Sequence, residues 1–284
     1  MNVKPALSIE EQIDKLKERG CIIENDDNPG ETLSKINYYR FTAYLLPFKN
    51  SDDTYKPGTT FKKVLKIYEF DQKLRNLISY AIDFIEIEMR TRVSYEHSTN
   101  YGPLGYLEAS NLSLGINHSE FIDTVEKYKD REKNNIIIKH HKSKYDGNIP
   151  FWAMIEFFSF TELSKFYQNM IISDKKRIAK NYHQYYSLIE SWLYCLSFLR
   201  NSCAHYSRLY YSRMIPIPKT PKGYPYLLDQ SIFSYLTMIK LLLVTSEAWT
   251  QQISPNLKML INSYKPYIET EHLGFPKNWE QYLK

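Results

Sequence analysis

Residues 60–100 read TFKKVLKIYEFDQKLRNLISYAIDFIEIEMRTRVSYEHSTN and contain the longest helical pattern of the chain. It contains no proline or glycine, and its apolar residues recur at spacings of three and four. That spacing places the following side chains on one face of a single long helix: Phe70, Leu74, Leu77, Ala81 and Ile85. The pair Gly102-Pro103 predicts where this helix ends.

The rest of the chain has the same helical periodicity. Ser8 and Gly20 bound a short amphipathic helix. Longer helices are predicted over residues 31–46, 151–172, 188–207 and 232–251. No alternation of apolar and polar residues extends beyond a few positions, so strands are not expected. The sequence therefore predicts an all-α fold.

Two segments interrupt the helices. Residues 127–147 are polar and rich in lysine, which predicts a loop or an exposed helix–turn. Four prolines between residues 216 and 225 predict an extended loop. We expect residues 1–58 to form an N-terminal helical extension and residues 59–284 to form a helical bundle that includes the C-terminal helices. As an alternative, the extension and the bundle form one compact unit.

The composition is that of a globular protein. Hydrophobic residues make up 43% and charged residues 24% of the 284 positions, which excludes a disordered or fibrous chain. Only 9 glycines are present, which argues against a nucleotide-binding fold built on glycine loops. The 37 basic and 32 acidic side chains leave a net charge of +5.

Positive charge is concentrated in residues 175–213. The basic residues there are Lys175, Lys176, Arg177, Lys180, Arg200, Arg208 and Arg213, and the single acid is Glu190. A surface that binds a polyanion requires such a concentration. An ordinary solvated basic face gives the same pattern, and charge alone favours that interpretation.

Several kinds of chemistry are missing from the sequence. It contains no phosphate-binding glycine loop, no His-Glu-x-x-His pattern and no Gly-x-Ser-x-Gly turn, and His140-His141 has no third ligand nearby. Three cysteines at positions 21, 195 and 203 have no metal-ligand spacing, and their small number suits a reducing cytoplasm. The apolar run 236–244 is broken by Lys240 and is too short to span a bilayer. We therefore expect a soluble cytoplasmic protein with no metal, no cofactor and no membrane partner.

One segment carries candidate chemistry, namely residues 200–208, Arg-Asn-Ser-Cys-Ala-His-Tyr-Ser-Arg. On a continuous helix, Asn201, His205 and Arg208 share one face, since they are four and then three residues apart. An amide, an imidazole and a guanidinium then converge on the side away from the apolar stripe.

Arg200 projects near the edge of that apolar stripe. A buried guanidinium needs a carboxylate partner, and Glu86 and Glu88 of the long helix are the candidates. Glu86 also forms an i,i+4 pair with Arg90, and Arg92 lies four residues after Glu88.

Arginine, histidine and asparagine together suit the cleavage of RNA. The ribose 2′-hydroxyl is an internal nucleophile, so no metal is required. Histidine moves protons near neutral pH, and a guanidinium stabilises charge on phosphate oxygens. The alternative is that His205 is a structural residue near a helix end. Tyr206, Tyr210 and Tyr211 can stack on unpaired bases, although packing in the core or an interface is the commoner role of such residues.

The pattern Arg200-Asn201-x-x-x-His205 resembles the Arg-x(4–6)-His signature of HEPN-type ribonucleases. The wider segment 199–209 resembles the Abi family of bacterial abortive-infection proteins. The likeness extends over most of the chain and is weakest in the last part. The further matching residues include Lys4-Pro5, Gln12, Leu16, Arg19, Gly20, Tyr39-Arg40-Phe41, Tyr44, Phe70-Asp71, Leu74-Arg75, Ile85-Glu86, Arg90, Pro150-Phe151-Trp152, Glu156 and Ser159-Phe160.

This resemblance implies a HEPN-like helical bundle that acts as a metal-independent endoribonuclease and halts growth when a phage infects. His205 would be the general acid or base, Arg200 would contact the scissile phosphate or hold the site together, and Asn201 would orient either group. Glu86, Arg90, Arg208 and Tyr206 would bind RNA or support the site.

The same resemblance implies three partners, namely an RNA substrate, a restraining small RNA or protein, and a second copy of the chain. HEPN enzymes commonly dimerise so that two Arg-His motifs face one cleft. Some HEPN domains do not cleave RNA, so a non-catalytic regulator that binds RNA or protein on this scaffold is the alternative.

Overall fold

The structure is a computed structural model that describes residues 5–113, 117–244 and 246–284. Within these ranges it contains thirteen α-helices, short 3₁₀ turns and three isolated β-bridges, but no strand. The all-α prediction is confirmed. Residues 1–4 of the predicted extension lie outside the described residues, and no described helix has both the length and the apolar character needed to cross a bilayer.

The first three helices are short and precede the long one. They are α1 (Ile9–Glu18), α2 (Pro29–Lys35) and α3 (Tyr38–Thr42). Helix α1 packs on α2, and α3 packs on the first turns of the long helix. There the ring of Phe41 stacks on that of Phe61 at 4.7 Å, and Tyr44 meets Tyr68 edge-on at 5.4 Å. Leu16, Phe41 and Tyr44 are fully buried.

Helix α4 (Phe61–Tyr101) is the 41-residue axis of the fold. The Thr60 hydroxyl accepts a hydrogen bond from the backbone N–H of Lys63 at its start, and Gly102 ends it with a φ of 80°. Four of the five residues of the predicted stripe are buried, and Leu77 is half-buried. The predicted helix, its apolar face and its end are confirmed.

The remaining helices follow in chain order. They are α5 (His118–Arg131), α6 (Ile136–Lys144), α7 (Phe151–Met154), α8 (Phe160–Asn169), α9 (Ile172–Lys180), α10 (Tyr186–Ala204), α11 (Ile232–Leu242), α12 (Ser254–Tyr264) and α13 (Trp279–Tyr282). Helix α4 packs against α7 to α12, and α10 packs against both α4 and α8. The lysine-rich segment 127–147 is the predicted exposed helix–turn rather than a loop, because α5 ends in it and α6 lies within it.

Two predicted helices are broken by new caps. The predicted helix 31–46 stops at Ile36, which is extended, and Asn37 starts α3 by accepting a hydrogen bond from the N–H of Tyr39. The predicted helix 151–172 is interrupted at Phe158, and Ser159 caps α8 in the same way. Side chains that offer the backbone an alternative partner end helices within apolar periodicity.

Two other helices also end earlier in the chain than predicted. Helix α10 ends at Ala204 rather than at residue 207. Helix α11 ends at Leu242, and Thr245 of the predicted helix 232–251 lies outside the described residues.

Helix α10 runs antiparallel to α4. Just before its start, the Tyr182 hydroxyl lies 3.1 Å from the sulfur of Met89, and near its end Arg200 approaches Glu86. The segment after α10 then passes Asp71 and Arg75, nearer the start of α4. This arrangement places the end of α10 over the middle of the long helix.

Candidate functional site at the end of helix α10

The motif residues lie in the last turn of α10. Asn201 and His205 are exposed, and the Arg200 side chain is 42% exposed. The predicted apolar stripe on the opposite side, Ile189, Leu193, Leu196 and Cys203, is buried. The His205 N–H donates to the Asn201 carbonyl at 2.9 Å, so these two residues lie one above the other on the solvent side.

The helix ends in a tight turn at His205. The Tyr206 N–H donates to the Cys203 carbonyl at 3.1 Å, and the Ser207 N–H donates to that of Ser202 at 2.8 Å. These two bonds form a Schellman motif, in which the left-handed residue is usually glycine. Here that residue is Tyr206, with a φ of 56°, at a cost of roughly 1–2 kcal/mol for a residue with a Cβ.

The prediction that Arg208 shares a face with Asn201 and His205 is wrong, because the chain leaves the helix before reaching it. The Arg208 guanidinium instead lies 5.9 Å from the ring centre of Tyr44 and donates to the carbonyl of Ala43. Arg208 therefore joins the segment after the motif to the segment after α3.

The three tyrosines after the motif differ in exposure. Tyr206 is 65% exposed, whereas Tyr210 is buried and Tyr211 is half-buried. The Tyr210 hydroxyl donates to the Glu269 carbonyl, and the Tyr211 ring packs against His272 at 4.2 Å. Core packing is therefore the role of Tyr210 and Tyr211, and only Tyr206 has its ring open to solvent.

Glu86 is shared by two arginines. Its Oε1 accepts from Arg90 at 2.6 Å, and its Oε2 lies 3.9 Å from the Arg200 Nε. Arg90 also donates to the Phe158 carbonyl, while Arg92 pairs with Glu88 at 2.7 Å. The expected pair of Glu86 with Arg90 is confirmed, and of the two candidate partners of Arg200 the structure shows Glu86.

The Arg200 guanidinium keeps its binding capacity. Its contact with Glu86 is long and involves Nε, and within the described part of the chain its terminal N–H groups donate no hydrogen bond. Two arginines around one carboxylate leave one net positive charge. A guanidinium held on one side and open on the other is suited to bind a phosphate group.

A buried ion pair holds the segment that follows the motif. Asp71 and Arg75 are almost completely buried and lie 2.6 Å apart. Asp71 also accepts the backbone N–H groups of Leu209 and Tyr210, and Arg75 donates to the Ser207 carbonyl. Because a buried carboxylate is tolerated only with such partners, this pair fixes the backbone immediately after His205.

Two further contacts complete this support. The Tyr44 hydroxyl donates to Asp71 at 2.7 Å, and the Arg40 guanidinium donates to the Tyr206 carbonyl at 2.6 Å. From the sequence, Arg40, Tyr44 and Asp71 are recognised only as residues that match the Abi family, and no role can be assigned to them. The available signal was Asp71 itself, a charge three residues before Leu74 on the apolar stripe of α4.

Cysteine chemistry is excluded at the motif. Burial raises the pKa of the Cys203 thiol to about 12, so it stays protonated at neutral pH. A protonated thiol is a poor nucleophile and a poor metal ligand. Cys203 is a small apolar core residue on the far side of the last turn.

The positive charge of residues 175–213 does not form one surface. Lys175 is buried against Glu190, and Arg177 pairs with Glu96 and Asp174. These charges are neutralised within the fold. The net charge counted from the sequence therefore overstates how basic the surface around the motif is.

The unneutralised lysines collect at the opposite end of α10. Lys176, Lys180, His183 and Lys222 line a cavity of about 770 Å³, and Lys219 lines an adjoining cavity of about 630 Å³. No carboxylate lines either cavity. At 1.5 Å per residue, this basic end lies roughly 28 Å from His205 along the helix.

One acidic cluster in the described residues has the spacing of a metal site. Glu24, Asp26 and Asp27 have carboxylate oxygens within 4.8 Å of one another, in the loop before α2. Asp26 already pairs with Lys62, and Asp27 accepts the Glu24 N–H. These acids belong to the N-terminal segment and contribute nothing to the motif.

A family profile described as Abi-like protein matches residues 31–211. The match begins in α2 and ends just beyond the turn that follows the motif, so it includes α4, Glu86 and the buried pair beneath that turn. No curated protein and no solved structure matches the chain. Since the matched region is well over half of the chain, the protein belongs to the Abi-like family of abortive-infection proteins.

Proposed function

We propose that this protein is a cytoplasmic, HEPN-type, metal-independent endoribonuclease that acts as an abortive-infection effector against phage. The observation that carries the proposal is the end of α10, where within six residues a partly exposed guanidinium, an exposed amide and an exposed imidazole are all open to solvent. Below them, a buried ion pair holds the following backbone in place.

Each motif residue has a role in the proposed reaction. The 2′-hydroxyl loses its proton and its oxygen attacks the neighbouring phosphorus, while the bond from phosphorus to the 5′-oxygen breaks and that oxygen gains a proton. The products are a 2′,3′-cyclic phosphate and a 5′-hydroxyl. His205 moves a proton, Arg200 stabilises the charge on the phosphate oxygens, and Asn201 orients one of these groups.

One imidazole cannot remove and donate a proton in the same step, so we propose that a second copy of the chain completes the site. Tyr194 and Phe198 support this pairing. They lie seven and three residues before Asn201 on the same helix face, and their rings contact each other at 5.1 Å. Tyr194 is 52% exposed. Two such faces packed together would bring two motifs close to each other.

The basic cavities at the start of α10 provide for RNA binding away from the motif. Lysines neutralise phosphates, and the 72% exposed ring of Tyr185 offers a surface for stacking, which is how single strands are commonly bound. RNA affinity should therefore fall steeply with salt. Lys176→Ala and Lys180→Ala should each reduce the slope of log K against log salt by about 1.

The same separation favours a second candidate, a non-catalytic regulator that binds RNA or a protein partner. The basic cavities lie roughly 28 Å from His205. An RNA bound there need not reach His205, so the protein can bind RNA without cutting it. A small RNA or a protein bound at this end could also restrain the nuclease.

The test is expression of the parent and His205→Ala in bacteria, together with an RNA cleavage assay in EDTA. The variant should lose growth arrest, and its cleavage rate should fall by about 10²–10⁴-fold. Ser207→Ala is the matched control, since it changes an exposed hydroxyl in the same turn. Equal toxicity of the parent and His205→Ala would refute the catalytic assignment. Loss of toxicity with no cleavage by the parent would establish the regulator.

A further inference from the structure

A third cavity, of about 630 Å³, lies between α6 and the chain that enters α7. Its walls include Trp152, Tyr145, His140, His141 and Asn148. Pro103 beside it follows the end of α4, roughly 22 Å along that helix from Glu86 at 1.5 Å per residue. It is therefore separate from the motif.

The cavity leaves two large rings open to solvent. Trp152 and Tyr145 are each 54% exposed. Within the described residues, the Trp152 indole has no ring partner, although most aromatic side chains of this protein pack against another ring. Exposed aromatic surface gathered in one concavity is a mark of a binding site.

Ring contacts and a hydrogen bond make this wall rigid. The rings of His140, His141 and Tyr145 contact one another, with centres 5.3, 5.5 and 5.7 Å apart. The His141 Nδ1 lies 2.8 Å from the Ile137 carbonyl. Because a carbonyl only accepts, Nδ1 carries the proton and, in the neutral ring, Nε2 remains a hydrogen-bond acceptor.

The charge around the cavity selects its ligand. No carboxylate lines it, and Lys144 lies on the helix surface next to both histidines, four residues after His140 and three after His141. The nearby acid Asp146 lies in the turn beyond α6. A cationic ligand is disfavoured by this surrounding, whereas a flat ring with an attached anion matches it.

We infer that this cavity binds a nucleobase that carries a phosphate group. The base stacks on Trp152 and Tyr145, its edge bonds to the Asn148 amide and the His141 Nε2, and Lys144 pairs with the phosphate. The base belongs either to a free nucleotide or to an unpaired position of an RNA strand. The inference does not depend on cleavage by the motif.

Indole fluorescence of the full-length protein tests this directly, because Trp152 is the one exposed tryptophan of the four. Trp192 and Trp249 are buried, and Trp279 is half-buried against the ring of Phe275. AMP and UMP should quench the emission to saturation. Trp152→Leu should abolish the quenching, and Tyr145→Ala should weaken nucleotide affinity about ten-fold, as expected for loss of one stacking partner. Tyr95→Ala is the matched control, since it removes a 71% exposed tyrosine elsewhere and should bind as the parent does.

A second arm identifies the source of the base. A single-stranded RNA that quenches more strongly than AMP assigns the cavity to RNA, and the reverse assigns it to free nucleotides. Lys144→Ala should weaken AMP binding several-fold and leave adenosine unaffected. Absence of saturable quenching at millimolar nucleotide, or equal quenching in Trp152→Leu, would overturn the inference while leaving the nuclease proposal untouched.

Discussion

Two ion-pair clusters on α4 have the same spacing and opposite environments. Asp71 and Arg75 are buried, and each is surrounded by partners from the protein itself. Glu86 and Arg90 repeat the i,i+4 pattern, but a third member, Arg200, reaches solvent. The first cluster is closed and neutral, whereas the second carries excess positive charge with free donors.

The two clusters therefore have different roles, one structural and one in ligand binding. Sequence spacing is identical in both pairs, so it cannot distinguish them. What differs is the number of arginines per carboxylate and the access of water. We conclude that the Asp71 cluster stabilises the turn after the motif and that the Glu86 cluster presents a guanidinium to a ligand. The predictions below test this division and are ordered by the size of the change that each substitution should produce.

The largest effect is expected from Asp71→Ala. It leaves Arg75 buried without a carboxylate and removes the acceptor for two backbone N–H groups. The free energy of unfolding should fall by about 3–5 kcal/mol, measured by urea denaturation. The double variant Asp71→Ala, Arg75→Met should recover part of the loss, since no unpaired charge remains. A single variant as stable as the parent would contradict the supporting role.

Arg200→Ala should act on the reaction and not on the fold. Its side chain is 42% exposed, so stability should change little, while RNA cleavage should fall by about 10²–10³-fold, as for loss of one transition-state donor. Arg200→Lys keeps the charge but not the planar fork and should recover only part of the rate. Cleavage at the parent rate in Arg200→Ala would remove this residue from the site.

Two histidines repeat the contrast between buried and open groups. Burial lowers the pKa of His97, which lies among the rings of Tyr101, Phe151 and Phe166. The unfolded chain binds this proton more readily, so the free energy of unfolding should decline as pH falls below about 6.5. His97→Phe should reduce that slope.

The control for this pH experiment is His205→Phe, which makes the same substitution at an exposed ring. Urea denaturation at several pH values gives both slopes. If His97→Phe and His205→Phe behaved alike, burial of His97 would not be the cause of the acid sensitivity.

The smallest effect concerns the strained turn. Tyr206→Gly should stabilise the protein by about 0.5–1 kcal/mol, because relief of the left-handed strain exceeds the extra entropy of the unfolded chain. Tyr206→Ala keeps the strain and loses the exposed ring, so it separates the two contributions. Thermal unfolding measures both variants. Greater stability of the alanine variant would show that the turn is not strained.

Helix α4 could be predicted from the sequence because its determinants are local. An unbroken apolar stripe, Thr60 at its start and Gly102 at its end lie within or beside the helix. The pair of Glu86 with Arg90 follows from spacing alone. The resemblance to the Abi family, which rests partly on residues of α4, is supported by the family profile that matches residues 31–211.

The end of α10 could not be predicted because its cause is tertiary. Nothing in the local sequence requires Tyr206 to become left-handed, and the contacts that hold the turn come from Arg40, Asp71 and Arg75. That one turn removes Arg208 from the predicted face. The net positive charge counted over residues 175–213 overestimated the basic surface for a related reason. The acids that neutralise part of it, such as Glu96 and Asp174, lie outside that stretch of sequence.

The most direct test of the central claim uses two RNA strands that differ in one oxygen. The cleaved position is mapped first, and a second strand with 2′-deoxyribose at that position is then incubated with the parent protein in EDTA. If the 2′-hydroxyl is the nucleophile, the all-ribose strand is cut to a 2′,3′-cyclic phosphate and a 5′-hydroxyl, and the deoxy strand is not cut there. Cleavage of the deoxy strand at that position, or a 3′-hydroxyl end on the product, would rule out the proposed reaction.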